Sequence, residues 1–209
     1  KPDYVFLTGW GVMNQVAIKE AAAIRFPMDH FIGNWWSGAE ADVLPAGKSA
    51  IGYIAATFNQ PGAGTQAHGD IVKHVYGGDN AAANKAQIGQ VLYNRGIINA
   101  IYDTEAVRTA MGKYGNTAMS GEQVRWGLEN LNLTEARIAE LGVKGFMGPI
   151  SISCANHEGG GKVMFQQWSG TEWKIVKGWT DTMQDMIRPM IEEAAAAFAK
   201  ENKITPRKC

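Results

Sequence analysis

The chain has 209 residues, of which 45% are hydrophobic and 19% are charged, a composition typical of a globular protein with a substantial core. Its 20 basic residues balance its 20 acidic residues, and the absence of any like-charge block argues against nucleic-acid binding. No uninterrupted apolar run approaches the roughly 18 residues that a membrane-spanning helix needs, so direct membrane insertion is not expected.

The first 36 residues predict a strand, a tight turn, a helix and a second strand. We expect the strands over residues 4–7 and 30–33 and the helix over residues 12–25, where Pro27 ends it. The helical period places Asn14 outside the apolar stripe, which consists of Met13, Val16, Ala17, Ala21 and Ile24. Two successive strands joined by a helix predict a parallel pair, whose carboxyl ends meet at one edge of the sheet.

Tryptophans in the turns after these two strands are the strongest functional signal. Small ligands bind at the carboxyl edge of open α/β sheets, and an indole offers them a rigid face and one N–H donor. We therefore predict ligand contacts rather than core packing for these rings, and core packing for the later tryptophans. Three nearby polar side chains, Ser37, Glu40 and Asp42, are expected to orient the ligand. The predicted binding residues of these turns are Thr8, Gly9, Trp10, Asn34, Trp35 and Trp36.

The rest of the chain predicts a helical middle enclosed by extended segments. The expected elements are a helical turn at 40–44, a strand at 51–58, helices at 65–76 and 84–111, two shorter helices, extended structure at 145–154, a hairpin of 162–168 with 173–177, and a final helix from Arg188 to Glu201. This order predicts one lobe from residues 1–54 and 163–209, and the mainly helical part of another from residues 55–162.

Motifs for catalysis are weak or missing in this sequence. Gly9-Trp10-Gly11 follows a strand as a dinucleotide fingerprint would, but Asn14 holds the place of the third glycine. No HExxH, GxSxG or CxxC pattern occurs, so we predict no catalytic residue, no metal site and no cofactor. A Rossmann-like nucleotide-binding enzyme fragment is the alternative from another functional class.

The two cysteines, Cys154 and Cys209, have two interpretations. They are either unrelated thiols or one disulfide that ties the C-terminal tail to the body. The polar tail around Cys209 offers little core in which to bury a thiol, which favours the disulfide. A disulfide requires an oxidising compartment.

The order of the segments resembles the later half of the proteins of a known family. These are the type I solute-binding proteins of ABC transporters, of the branched-chain amino acid/amide class. The segments that carry the resemblance are Tyr4-Val5-Phe6-Leu7-Thr8-Gly9-Trp10, Phe31-Ile32-Gly33, Ala50-Ile51-Gly52-Tyr53, Tyr93-Asn94-Arg95-Gly96, Glu105-Ala106-Val107-Arg108, Gly148-Pro149 and Trp168-Ser169-Gly170. The resemblance implies an α/β fold of the periplasmic-binding-protein type, with two Rossmann-like lobes joined by crossing segments. This chain would hold the second lobe and part of the first.

The resemblance also implies a function without chemistry. Such a protein is a periplasmic receptor that closes on a small molecule and presents it to ABC transporter permease subunits; a ligand-sensing ectodomain of the same fold is the alternative. Trp10 matches the family's ligand-contacting aromatic, whereas Trp35 stands where amino-acid binders carry a carboxylate. That departure favours aromatic, amide or carboxylate ligands beside amino-acid-like ones. From the other lobe, the resemblance implies ligand contacts by Gln90 and Tyr93.

Overall fold

The computed structural model describes residues 2–78, 85–206 and 209. The strands are β1 (Val5–Leu7), β2 (Phe31–Gly33), β3 (Ile54–Thr57), β4 (Asn132–Leu133), β5 (Ile150–Ser151), β6 (Val163–Trp168) and β7 (Trp173–Thr180). The α-helices are α1 (Val12–Ala23), α2 (Glu40–Val43), α3 (Gln66–His74), α4 (Val91–Tyr114), α5 (Gly121–Leu128), α6 (Glu135–Glu140) and α7 (Gln184–Glu201). The helical middle and the extended segments on either side of it follow the predicted order.

Five strands form one mixed sheet in the order β1-β2-β3-β6-β7. The first three are parallel, with Leu7 opposite Gly33 and Gly33 opposite Ala55. The hairpin of β6 and β7 continues the sheet in antiparallel pairing, and Trp168 opposes Trp173 across it. The predicted parallel pair and the predicted hairpin are thus confirmed. The predicted strand at 51–58 is shorter, because residues 51 and 52 form a turn.

Strands β3 and β6 connect the sheet to the helical middle of the chain. Thr57, the last residue of β3, pairs with Met164 near the start of β6, and Asn59 bridges to Met147 beyond the sheet. Two clusters of buried side chains lie on either side of this connection. Helix α4 contributes to both, because Val91 belongs to the sheet's cluster and Ile98 to the cluster of the helices.

Helix α1 buries only part of the predicted apolar stripe, since Ala17 and Ala21 pack against the sheet's cluster whereas the larger residues of the stripe do not. Met13 and Val16 are each 50% exposed and Ile24 is 77% exposed, whereas Asn14 and Ile18 are fully buried. The Asn14 amide lies inside because it donates hydrogen bonds to two groups of the β2–α2 connection, as described below. A polar residue with fixed partners therefore overrides the apolar period.

The predicted bounds of two long helices are also wrong. Helix α4 begins at Val91, residues 85–90 are not helical, and Asn84 of the predicted helix lies outside the described residues. Helix α7 begins at Gln184 rather than at Arg188, so Pro189 lies inside the helix instead of in its first turn. Proline lacks the N–H donor of a regular helix position, so one backbone hydrogen bond of α7 is missing there. The helix tolerates this loss because it lies on the surface: no residue of α7, which is described in full, is buried.

Glu105 on α4 forms an ion pair that fixes α6. The carboxylate of Glu105, which is only 5% exposed, accepts bonds of 2.8 Å from Nε and Nη2 of Arg137 and one of 2.9 Å from Nε of Arg108. The hydrogen bonds from Arg137 hold the pKa of Glu105 below its ordinary value of 4.5. This stabilisation is present above pH 4.5 and is lost as the pH falls through the lowered pKa.

We expect Glu105→Gln to lower the free energy of unfolding by about 2 kcal/mol at pH 7, because Arg137 loses the buried one of its two charged partners. The difference from the unmodified protein should shrink below pH 4, as urea titrations at pH 7 and pH 3.5 would measure. Glu140→Gln is the matched control. Glu140 also binds Arg137 at 2.8 Å but is 65% exposed, so its loss should cost less than about 0.5 kcal/mol. Equal losses of stability for Glu105→Gln and Glu140→Gln would show that the buried carboxylate of Glu105 has no special role.

Candidate functional site

The turns that follow β1 and β2 lie side by side at the carboxyl edge of the sheet. Asn34 N–H donates to the carbonyl of Leu7 at 2.9 Å, which extends the pairing of the two strands by one residue. The side chain of Asn34 then accepts from the Trp36 N–H at 2.9 Å and begins the short 3-10 turn of residues 35–37. The sequence predicted this juxtaposition, and the strand register produces it.

A buried polar network joins the two turns. The Ser37 hydroxyl donates to the Gly9 carbonyl at 2.8 Å and lies 3.0 Å from Asn34 Oδ1. Asn14 Nδ2 donates to the Trp36 carbonyl at 2.9 Å and to Asp42 Oδ1 at 2.8 Å. These bonds fix the backbone of both tryptophan-bearing turns to the start of α1.

The network also corrects the role expected for two polar residues. Ser37 is fully buried and Asp42 is only 6% exposed. The second oxygen of Asp42 accepts from the Ala39 N–H at 2.9 Å, so both carboxylate oxygens have partners inside the protein. Burial raises the pKa of Asp42 above its ordinary value. Ser37 and Asp42 therefore hold the turn in place instead of orienting a ligand, and Asp42 does not replace the carboxylate that is missing at Trp35.

The indole rings of the two turns face outwards. Trp10 is 70% exposed, Trp36 57% and Trp35 44%, whereas Trp168 and Trp173 in the hairpin are buried, as expected of core residues. Thr8 is exposed and Gly9 is buried. The three exposed rings thus lie at the edge of the sheet and not in either buried cluster.

A cavity of about 440 Å³ opens beside Trp35. It lies where the sheet meets the helices, since Phe58 follows β3, Val163 begins β6 and Tyr102 lies on α4. Its wall is mostly apolar with a few polar groups, a combination common in small-molecule sites. The lining residues are Trp35, Phe58, Tyr102, Met147, Gly148, Pro149, Ile150, Glu158, Gly161, Lys162, Val163, Thr182 and Gln184.

Of the eight predicted binding residues, Trp35 is the one that lines this cavity. The other residues of the two turns, Thr8, Gly9, Trp10, Asn34 and Trp36, lie outside its lining, and so do Gln90 and Tyr93. Gln90 lines a separate cavity of about 340 Å³ beside Glu40 and Trp173. Tyr93 lines a groove of about 530 Å³ on α4, where its hydroxyl lies 3.2 Å from that of Tyr76. Burial, together with the hydroxyl of Tyr76, raises the pKa of Tyr93 to about 12. Their ligand contacts remain predictions from the family resemblance.

The sequence missed Phe58 and Tyr102 as lining residues. Phe58 is an aromatic residue directly after a strand, as Trp10 and Trp35 nearly are, and the same argument from strand ends would have found it. Nothing in the sequence distinguishes Tyr102 from the other apolar residues of its helix. Its place in the cavity wall depends on how α4 packs against the rest of the chain.

Gly33 lies beneath the turn that carries Trp35. A Cβ at this position would meet the Tyr53 hydroxyl at 1.9 Å and the Ser37 Cβ at 2.8 Å. We expect Gly33→Ala to lower the free energy of unfolding by about 2–3 kcal/mol, because the core cannot accommodate the methyl group without moving Tyr53. Gly64→Ala is the control, since a Cβ there meets no atom within 4 Å. Chemical denaturation measures both variants, and a stable Gly33→Ala protein would contradict the close contact.

Neither a metal site nor a membrane helix is found in the part of the chain that the structure describes. No group of three or more His, Cys, Asp or Glu residues there is placed to hold a metal ion. No helix within the same residues is both long and apolar enough to cross a membrane.

Comparison with known proteins identifies a family and several solved structures that the chain is similar to. The family model for the periplasmic binding protein matches residues 1–172. A solved structure from the Pseudomonas fluorescens group, described as an ABC transporter permease, is 43% identical over the whole of this chain and 50% of its own, with a TM-score of 0.91. No curated protein matches the chain.

Two more distant structures share the fold. A branched-chain amino acid ABC transporter protein from Thermus thermophilus with bound valine is 19% identical, with a TM-score of 0.63 over 87% of this chain and 46% of its own. A solute-binding protein from R. palustris in complex with benzoate is 15% identical, with a TM-score of 0.56 over 87% of this chain and 45% of its own. The chain therefore spans about half the length of the structures that it matches.

Proposed function

Because the chain belongs to the periplasmic binding protein family, we propose that it is the later half of an extracytoplasmic receptor for an ABC importer. Proteins of this family bind a substrate for transport and catalyse no reaction. The receptor would close on a small amino-acid-like, amide or aromatic carboxylate ligand and present it to the permease. The disulfide between Cys154 and Cys209 supports an oxidising compartment such as the periplasm.

One observation carries this proposal. The cavity beside Trp35 lies at the two strands that connect the sheet with the helical middle, which is where a two-lobed binding protein holds its ligand. We propose that residues 1–54 and 163–209 form one lobe, that residues 55–162 belong to the other, and that closure occurs about β3 and β6. Helix α7 also contacts the helical part, since Gln184 Nε2 donates to Glu158 at 2.8 Å.

The lining of the cavity and the ligands of two relatives support the proposed ligand class. Aromatic and aliphatic side chains dominate the wall, and Lys162, Gln184 and Glu158 supply the charged and amide groups. Valine and benzoate, the ligands bound in the two distant relatives, would both fit a cavity of about 440 Å³.

A thermal-shift screen of the intact protein, expressed from its complete reading frame, tests the function. The screen would contain branched-chain and aromatic amino acids, their amides, benzoate-type carboxylates, NAD and ATP. We expect at least one small solute to raise the melting temperature and the two nucleotides to leave it unchanged. Stabilisation by NAD or ATP alone would instead support the nucleotide-binding alternative. Small-angle scattering should show a smaller radius of gyration with the stabilising solute, as closure requires.

A further inference from the structure

Arg95 on α4 is a buried cation beside the candidate cavity. It is only 8% exposed, and its Nη2 donates a hydrogen bond to the carbonyl of Trp35. Its Nε and Nη1 are also buried and find no acceptor among the described residues. An apolar side chain of similar length would fill the same space without burying unpaired N–H groups. Packing alone therefore does not explain an arginine at this position.

The guanidinium lies close to two aromatic rings from different parts of the fold. Its central carbon is 5.9 Å from the ring centre of Trp36 and 4.9 Å from that of Phe58. Both distances are within the range of cation–π attraction. Trp36 belongs to the turn after β2, whereas Phe58 follows the connecting strand β3. Arg95 thus joins the turn, the connecting strand and α4 at one point.

The charges around Arg95 argue against direct binding of a ligand carboxylate. Glu40 and Asp42 are close enough to act on the pKa of Arg95, although burial is the larger effect and lowers it. Their observed hydrogen bonds go elsewhere: Glu40 Oε2 accepts the Val91 N–H at 2.9 Å, and Asp42 binds Asn14 and the Ala39 N–H. A further anion beside the buried Arg95 would be repelled by these two carboxylates.

We propose that Arg95 is a positioning residue, which clamps the Trp35–Trp36 turn against Phe58 so that the Trp35 ring forms a wall of the cavity. The carbonyl of Trp35 and the ring of Trp36 are the points that it holds. Glu40, at the start of α2, also helps to hold α4 in place. The N-cap residue of α4 makes no side-chain hydrogen bond to the helix, and the Glu40 carboxylate instead accepts the first N–H of the helix. The effect on ligand binding rests on the proposed function.

A double-mutant cycle in the intact protein tests whether Arg95 acts through Trp35. The probes are valine and benzoate, titrated calorimetrically. Arg95→Met should weaken binding of a probe about tenfold in the otherwise unmodified protein and less than threefold in the Trp35→Ala background. Arg95→Lys, which keeps a charge and a donor, should recover most of the affinity. Equal losses in both backgrounds would overturn the proposal, because Arg95 would then act independently of Trp35.

Hydrogen exchange of the ligand-free protein separates this inference from the proposed function. We expect Arg95→Met to speed exchange of the amides at residues 35–38 about tenfold and to leave the amides of β6 unchanged. Unchanged exchange at residues 35–38 would overturn the positioning role. If neither probe binds, the ligand class of the proposed function fails, while the exchange result still decides the role of Arg95. Should Arg95→Met not fold, Arg95→Gln, which keeps an N–H donor without the charge, serves in both experiments.

Discussion

Replacing Trp10 and Trp35 together by alanine should weaken ligand binding by the intact protein about 1,000-fold and leave the fold intact. Each ring is exposed at the edge of the sheet, so its removal leaves no cavity in either buried cluster. A buried aromatic contact with a ligand is worth roughly 2 kcal/mol or more, and each 1.4 kcal/mol is a factor of ten in affinity. Calorimetric titration with the solute that gives the largest thermal shift would measure the loss.

Trp126→Ala is the matched control for this double variant. Trp126 packs edge-to-face against Tyr114 at the end of α4, with ring centres 5.6 Å apart. Tyr114 lies twelve residues beyond Tyr102, which places it roughly 18 Å along the helix from the cavity. The control removes an indole of the same size and should keep its affinity. A double variant that binds as tightly as the control would show that the turn tryptophans do not contact the ligand.

Removal of the disulfide should have the largest effect on stability. Cys154 and Cys209 are bonded, with a sequence separation of 55 and a Cα–Cα distance of 5.4 Å, which confirms the predicted pairing. In the chain-entropy model, closing a loop of this length lowers the entropy of the unfolded chain and raises its free energy by about 4 kcal/mol. We therefore expect Cys154→Ser to lower the free energy of unfolding by about 4 kcal/mol in urea titrations under oxidising conditions.

The same experiment under reducing conditions provides the control. The reduced protein and Cys154→Ser should unfold at the same urea concentration, because both lack the bond. The bridge matters because the described part of α7 and its tail is exposed and forms few other bonds to the rest of the protein. One of them is the hydrogen bond from Arg188 to the Ala155 carbonyl. Identical midpoints for the oxidised protein and Cys154→Ser would show that the bridge contributes nothing to stability.

The sheet and its tryptophan turns were predictable because their signals are local. Apolar runs ended by glycine mark each strand, and the parallel connection then decides which strand ends meet. Trp10 and Trp35 could therefore be placed at one edge of the sheet without knowledge of any contact.

The inner support of the turns was not predictable from such patterns. The helical period predicts that Asn14 lies on the surface. It is instead fully buried, because Asp42 and the Trp36 carbonyl accept hydrogen bonds from its two side-chain N–H groups. Arg95 appeared in the sequence only as part of the family resemblance. A period identifies a face of a helix, whereas the partner of a buried polar group depends on segments far along the chain.

The start of α4 is a part of the fold that the sequence placed wrongly. The predicted helix of residues 84–111 included Gln90, whereas α4 starts at Val91 and Gln90 precedes it. Apolar residues on both sides of that start made the sequence uninformative about it. The end that the fold selects is the one at which Glu40 binds the first free N–H of the helix.

A crystal structure of the intact protein with its co-purified solute tests the central claim most directly. We expect solute atoms within about 4 Å of the indole ring of Trp35, in the space bounded by Phe58 and the connecting strands. We also expect a contact with the ring of Trp10, which follows from its place at the end of β1, although Trp10 does not line that cavity in the present structure. A solute held elsewhere, with both indoles in contact only with protein atoms, would contradict this expectation.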